Sequence, residues 1–163
     1  MSGMKSTTAS FARASGTTQY TAGDLVANSA TAGSVAAMSF AGGPMLIRKG
    51  RLTKSDDDLT SASFRLHLFS ANPCSSAPAN GDNGAISLNV AIATFLGSID
   101  FDMTASPDIF NTAGNMAVGV PLVGSEIFVH ATVDKLYGLL EARGSYTPAD
   151  GETFSVTLDY LPL

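Results

Sequence analysis

Apolar and polar positions alternate along most of the chain. In Gly151–Tyr160, Phe154, Val156, Leu158 and Tyr160 fall on one side and Ser155, Thr157 and Asp159 on the other, the period of two that a half-buried strand shows. Ser98–Met103 repeats it, with Ile99, Phe101 and Met103 against Asp100 and Asp102. Ser61–Phe69 sets Phe64, Leu66 and Leu68 against Arg65, His67 and Phe69 and runs into an Asn72-Pro73 turn. Further strands are predicted over 45–54, with an irregularity at Gly50, and over 126–132. Asp134–Arg143 sets Leu136, Gly138, Leu140 and Ala142 opposite Tyr137, Leu139, Glu141 and Arg143; Gly138 and the Gly144–Pro148 turn favour a strand over a helix.

Turn chemistry separates these runs: Gly42-Gly43-Pro44, the acidic Asp56-Asp57-Asp58, and Ala79–Gly84. Ser87–Gly97 fits one short helix with Ser87 as N-cap and Gly97 past its end, or else a strand carrying Ile92, Thr94 and Phe95. Residues 104–125 read as irregular. Evenly spaced strands with Gly and Pro turns predict an all-β fold, an antiparallel β-sandwich of jelly-roll type in one domain over residues 21–163. Residues 1–20 are small and polar around Phe11 and Tyr20, and are expected to be a flexible or extended N-terminal arm that orders against something else.

Composition narrows the function. Charged residues make up 14% of the 163, against about 25% in an average domain. Mixed surface charge is a main source of solubility, so the shortage suggests a chain that works packed against others; the alternative is a monomer with a neutral, hydroxyl-rich surface. The net charge of −5 argues against nucleic acid, and the one basic group, Arg48, Lys49, Arg51 and Lys54, is followed at once by Asp56–Asp58. A single cysteine, Cys74, forms no internal disulfide. No apolar run approaches 18 residues, so no membrane span is expected, and the first ten residues lack the apolar core of a secretory signal, which predicts synthesis in a cytoplasm.

A search for chemistry predicts no enzyme. The chain lacks Gly-x-Ser-x-Gly, and Gly114–Gly119 has phosphate-loop spacing but is followed by Val120 where a lysine is required. Asp56 with Asp58, or Asp100 with Asp102, could share a proton or a calcium ion, but Asp56–Asp58 lacks the glycine and distal glutamate of a calcium loop and reads as an acidic surface loop. His67 and His130 are isolated, and His67 is expected on the outward side of its strand as a partly exposed residue. No catalytic, cofactor or metal residue is therefore assigned. The candidates for contact with a partner are Phe11, Arg13 and Tyr20 on the arm and Arg65, His67 and Phe69 on the outward side of their strand.

The order of parts resembles small virion proteins of tailed bacteriophages. The resemblance lies in the polar arm, Tyr20-Thr-Ala-Gly-Asp-Leu-Val26, Arg65-Leu-His-Leu-Phe69 with the nearby Pro73, the Asp82-Asn83 turn before Gly97, and Leu136-Tyr-Gly with Tyr146-Thr-Pro148. It implies a head decoration, or cement, subunit on the outer surface of the capsid, a homotrimer bound to the major capsid protein, with no catalytic residues and no cofactor. Two other readings remain: a phage tail component (tail tube, baseplate or adsorption), and a carbohydrate-binding jelly-roll module.

Overall fold

The computed structural model describes residues 3–76, 80–87, 92–104, 115–121 and 126–163. Among these residues, ten strands form two antiparallel sheets. They are β1 (Lys5–Ala12), β2 (Leu25–Val26), β3 (Met38–Ala41), β4 (Met45–Lys54), β5 (Ser63–Phe69), β6 (Phe95–Asp102), β7 (Asn115–Gly119), β8 (Ile127–Val129), β9 (Lys135–Ala142) and β10 (Thr153–Pro162). The first sheet runs β1-β10-β4-β7, with β8 also on β4; the second runs β2-β9-β5-β6, with β3 also on β9.

Four pairings are nested: β1 with β10, β2 and β3 with β9, β4 with β7 and β8, and β5 with β6. Nested antiparallel pairs amount to one long hairpin, and rolling it up brings β10 onto β4 and β9 onto β5. That is the jelly roll, an all-β sandwich of two antiparallel sheets.

Each inward apolar set meets the other sheet. Phe154, Val156 and Leu158 from β10, Ile47 and Leu52 from β4, Phe64, Leu66 and Leu68 from β5, and Ile99 and Phe101 from β6 are all buried in a single core cluster. Gly50 makes room for Phe101, whose ring lies 2.8 Å from where a Cβ would sit. The irregularity expected near it is a bulge two residues earlier: Asp159 pairs with Lys49 and Tyr160 with Ile47, leaving Arg48 as the extra residue.

Residues 5–12 are extended, as an arm would be, but they lie on their own domain as the edge strand β1, in register with β10 from Lys5↔Tyr160 to Ala12↔Thr153. Hydroxyls couple the two strands, Thr8 to Thr157 and Ser10 to Ser155, each at 2.8 Å. Phe11 stacks on Phe154 at 5.8 Å between ring centroids. The fold therefore begins near Lys5 and not at Tyr20, because β1 is the first strand of the roll.

Within Ser87–Gly97 the described part is one 3-10 turn, Ile92–Thr94, leading into β6; residues 88–91 lie outside the described residues. Most of the irregular stretch expected over 104–125 lies outside them too, and β7 occupies 115–119. No described helix is long and apolar enough to cross a membrane.

Phe154 touches both Phe11 and, at 5.4 Å, Phe64. Phe154→Ala should cost about 3–5 kcal/mol in urea unfolding, and a loss below about 1 kcal/mol would contradict its place in the core.

Candidate interaction surface

The arm residues Arg13 and Tyr20 are buried, and both serve Asp82. The Arg13 Nη2 donates to Asp82 Oδ2 at 2.7 Å, the Tyr20 hydroxyl donates to Asp82 Oδ1 at 2.7 Å, and Arg13 Nε donates to the Tyr20 oxygen at 2.9 Å. The Ala27 amide also donates to Asp82 Oδ1, at 2.8 Å. One carboxylate thus holds segments 13–20, 27–29 and 81–84 together, and its own amide donates to Ser29 O. Burial, with the neighbouring carboxylate, pushes the Tyr20 hydroxyl well above its usual pKa and keeps it a neutral donor.

Local sequence sets up this junction. Thr21-Ala-Gly-Asp24 turns with Gly23 at φ +101°, a left-handed conformation that favours glycine. Asp24 closes the turn by accepting from the Thr21 amide and hydroxyl at 2.6 and 2.9 Å.

The outward side of β5 is not a free surface. Arg65 is half-buried and holds Asp100 through two bonds of 2.5 and 2.8 Å, which lower the Asp100 pKa. Phe69 is fully buried in a second apolar cluster with Leu25, Ala27, Val35 and Leu139. His67, expected to be partly exposed, is buried. Its Nε2 lies 2.6 Å from Glu141 Oε2 and its Nδ1 3.0 Å from Ser98 Oγ. A neutral ring with its proton on Nε2 satisfies both contacts, Ser98 donating to Nδ1. Glu141 also takes the Arg143 guanidinium at 2.9 Å. The misplacement has a plain cause: Val35, Ala37, Cys74 and Ile86 pack over this side of the sheet with Leu25, Ala27, Phe69 and Leu139.

The Ser98–His67–Glu141 chain has the residue types of a hydrolytic triad, but Ser98 and His67 are both buried and the Phe95 ring lies 6.1 Å from the imidazole. It acts as a structural clamp across β6, β5 and β9. A second buried network lies inside the sandwich. Lys54 Nζ donates to the Tyr146 hydroxyl at 2.9 Å, and that hydroxyl donates to Glu152 at 2.8 Å. Burial raises the Glu152 pKa even though Tyr146 and Lys54 oppose it. Lys54 therefore belongs to the core and leaves Arg48, Lys49 and Arg51 as the surface basic group. Among the described residues no three His, Cys, Asp or Glu side chains cluster as a metal site.

The outward face of the first sheet is the contrast. Ser6, Thr8 and Ser10 on β1 line up with Asp159, Thr157 and Ser155 on β10. Asp159 is buried beneath Ser6, Arg51 and Lys49, at 2.5, 3.0 and 3.5 Å. At one end of this face Leu161 pairs with Leu46, and Leu46 with Phe128; the β1–β10 register carried one residue further sets Met4 opposite Leu161. An apolar row crosses four strands, about 15 Å at a spacing of about 4.8 Å. Leu163, whose amide donates to Pro44 O, extends it. Val118, opposite Arg51, and Val120 follow the sheet edge.

Of seven exposed large hydrophobics among the described residues, these five (Met4, Val118, Val120, Phe128 and Leu163) are 53–61% exposed. Scattered exposed apolar residues are ordinary; three of these, Met4, Phe128 and Leu163, share one sheet face with the half-buried Leu46 and Leu161. No sequence signal pointed to this row, because its members come from positions 4, 46, 128, 161 and 163. At the turn end of the second sheet, Ser70, Asn72, Thr132, Asp134, Lys135 and Tyr137 line an open pocket of about 430 Å³.

No family model matches the chain, and no curated protein matches it. Among solved structures it is similar to a chain of the cyanophage Pam1 capsid asymmetric unit, at 15% identity over 99% of this chain and 86% of that one, with a TM-score of 0.38. A likeness of this size carries no argument about what the chain does.

Two predictions follow the buried networks. Asp82→Ala leaves a buried guanidinium unpaired and should cost about 3–5 kcal/mol in urea; a cost below about 1 kcal/mol would refute the junction. Burial, only partly offset by Glu141 and reinforced by Arg65 and Arg143, holds the folded His67 pKa below its usual value. The unfolded chain then binds more protons below about pH 6.5, so this contribution to stability is complete above that pH and is lost as pH falls through it. His67→Gln should flatten the fall in Tm between about pH 7.5 and 5, whereas parallel curves would place His67 elsewhere.

Proposed function

We propose that the chain is a non-enzymatic structural subunit of a bacteriophage virion, a decoration or cement protein that sits on the outer surface of the head as a homotrimer and binds the major capsid protein. One observation carries this reading: among the described residues nothing lies over the outward face of the first sheet, which carries an apolar row, while the chain covers the outward face of the second sheet with its own segments. A surface of that kind calls for a protein partner. The low charge and the resemblance in the order of parts support the same reading. The buried Ser98, His67 and Glu141 give a substrate no access, which favours a role without catalysis.

The physical effect is linkage. A subunit that binds assembled capsid more tightly than free capsid protein shifts the equilibrium toward the assembled shell. A rolled sandwich whose first and last strands are paired suits this task, since tension at either terminus is carried by the β1–β10 ladder.

Light scattering should give a free mass of three 16.7 kDa chains. Heads stripped of accessory proteins should bind the protein saturably and release their DNA at a higher temperature. A monomer that leaves the release temperature unchanged contradicts the reading, and saturable binding of a sugar by the isolated protein would replace it with a carbohydrate-binding role.

A further inference from the structure

We infer that the outward face of the first sheet docks on the capsid subunit, and that the surface it meets has an apolar centre and carboxylates on its rim. The inference rests on the decoration reading and adds the face and the partner's chemistry to it.

The apolar half of the complement is the row Met4, Leu161, Leu46 and Phe128, with Leu163 beside it. Leu161, Leu46 and Phe128 stand on paired strands, so their relative positions are fixed by ladder hydrogen bonds, while Met4 adjoins the start of β1 and Leu163 is held by its amide bond to Pro44 O. The polar half lies one step along the strands. Arg48, Lys49 and Arg51 project from β4 on the same side. They are matched by two carboxylates, Asp159 and Glu126, and Asp159 is buried beneath two of them. What a partner meets is therefore three partly exposed cations and one exposed anion, in a chain whose net charge is −5.

Charge complementarity selects the occupant. A second copy using this same face across a two-fold axis through the cation group would set that group against its twin, and like-charge juxtaposition in an interface is costly; an axis elsewhere would set the cations of each copy against the other's apolar row. An acidic rim relieves that cost. Nucleic acid would satisfy the cations and leave the apolar row in water. Ten residues of β4 at about 3.3 Å and four strands at about 4.8 Å give a face of roughly 600 Å², close to the about 800 Å² that each partner of a stable interface buries.

The test is co-sedimentation with stripped heads over a range of salt, using Phe128→Ser, Arg48→Glu and, in the 3-10 turn that leads into β6 of the other sheet, Ile92→Ser. Phe128 and Arg48 are exposed, so both variants should keep the wild-type circular dichroism spectrum. Wild type should bind less tightly as salt rises. Phe128→Ser and Arg48→Glu should each weaken binding by at least about tenfold, and Ile92→Ser should bind as wild type does. If wild type binds and both face variants bind equally well, the face is wrong and the decoration reading stands. If wild type fails to bind, the decoration reading falls and the inference with it. If the face variants lower the mass of the free protein instead of its affinity for heads, a second copy occupies the face and the capsid assignment is overturned.

Discussion

The carboxylate of Asp82 is the constraint on which the molecule's asymmetry depends. It is buried, and it satisfies the guanidinium of Arg13, the hydroxyl of Tyr20 and the amide of Ala27 at once. A buried charge costs several kcal/mol unless it is paired and its remaining lone pairs are bonded, so these groups stay together or the segments that carry them come apart. Those segments are the exit from β1, the stretch that begins the cover over the second sheet, and the loop that completes it. Leu25 and Ile86 are then tied in by backbone bonds to Gly84 and Gly23.

The two outward faces differ as a result. On the second sheet, β5 is buried on both sides from Leu66 to Phe69, and a histidine, a serine and a glutamate form a closed polar clamp beneath the cover. On the first sheet nothing lies over the strands among the described residues, and an apolar row is left beside cations. Energetically the first arrangement is finished and the second is incomplete. A protein so built has one side that holds the fold and another with apolar surface to bury.

Strand alternation was legible in the sequence wherever large side chains carried it. Phe154, Val156 and Leu158 on β10, and Ile99 and Phe101 on β6, point inward as their spacing requires. What alternation leaves open is whether the second side of a strand is covered. His67 and Phe69 were placed on the correct side of β5 and given the wrong exposure, since the cover comes from residues far away in sequence. Lys54 shared a parity with Leu52 that pointed inward, but the adjacent Asp56–Asp58 run suggested a solvated group. The first strand was hidden because Thr7 and Ala9 are too small to register as apolar against Ser6 and Thr8. Residues in the phage-like segments, Tyr20, Asp82 and Tyr146, prove to be framework residues. The row at the edge of the first sheet was illegible in principle, because only the register of four strands assembles it.

Hydroxyl-radical footprinting of the free and the head-bound protein measures directly which face is used. If the first sheet docks, Met4, Phe128 and Leu163 lose reactivity on binding while Ile92, in the 3-10 turn before β6, and Phe95, on the second sheet, keep theirs. Protection of Ile92 and Phe95 with Met4, Phe128 and Leu163 still reactive would contradict the assignment of the docking face.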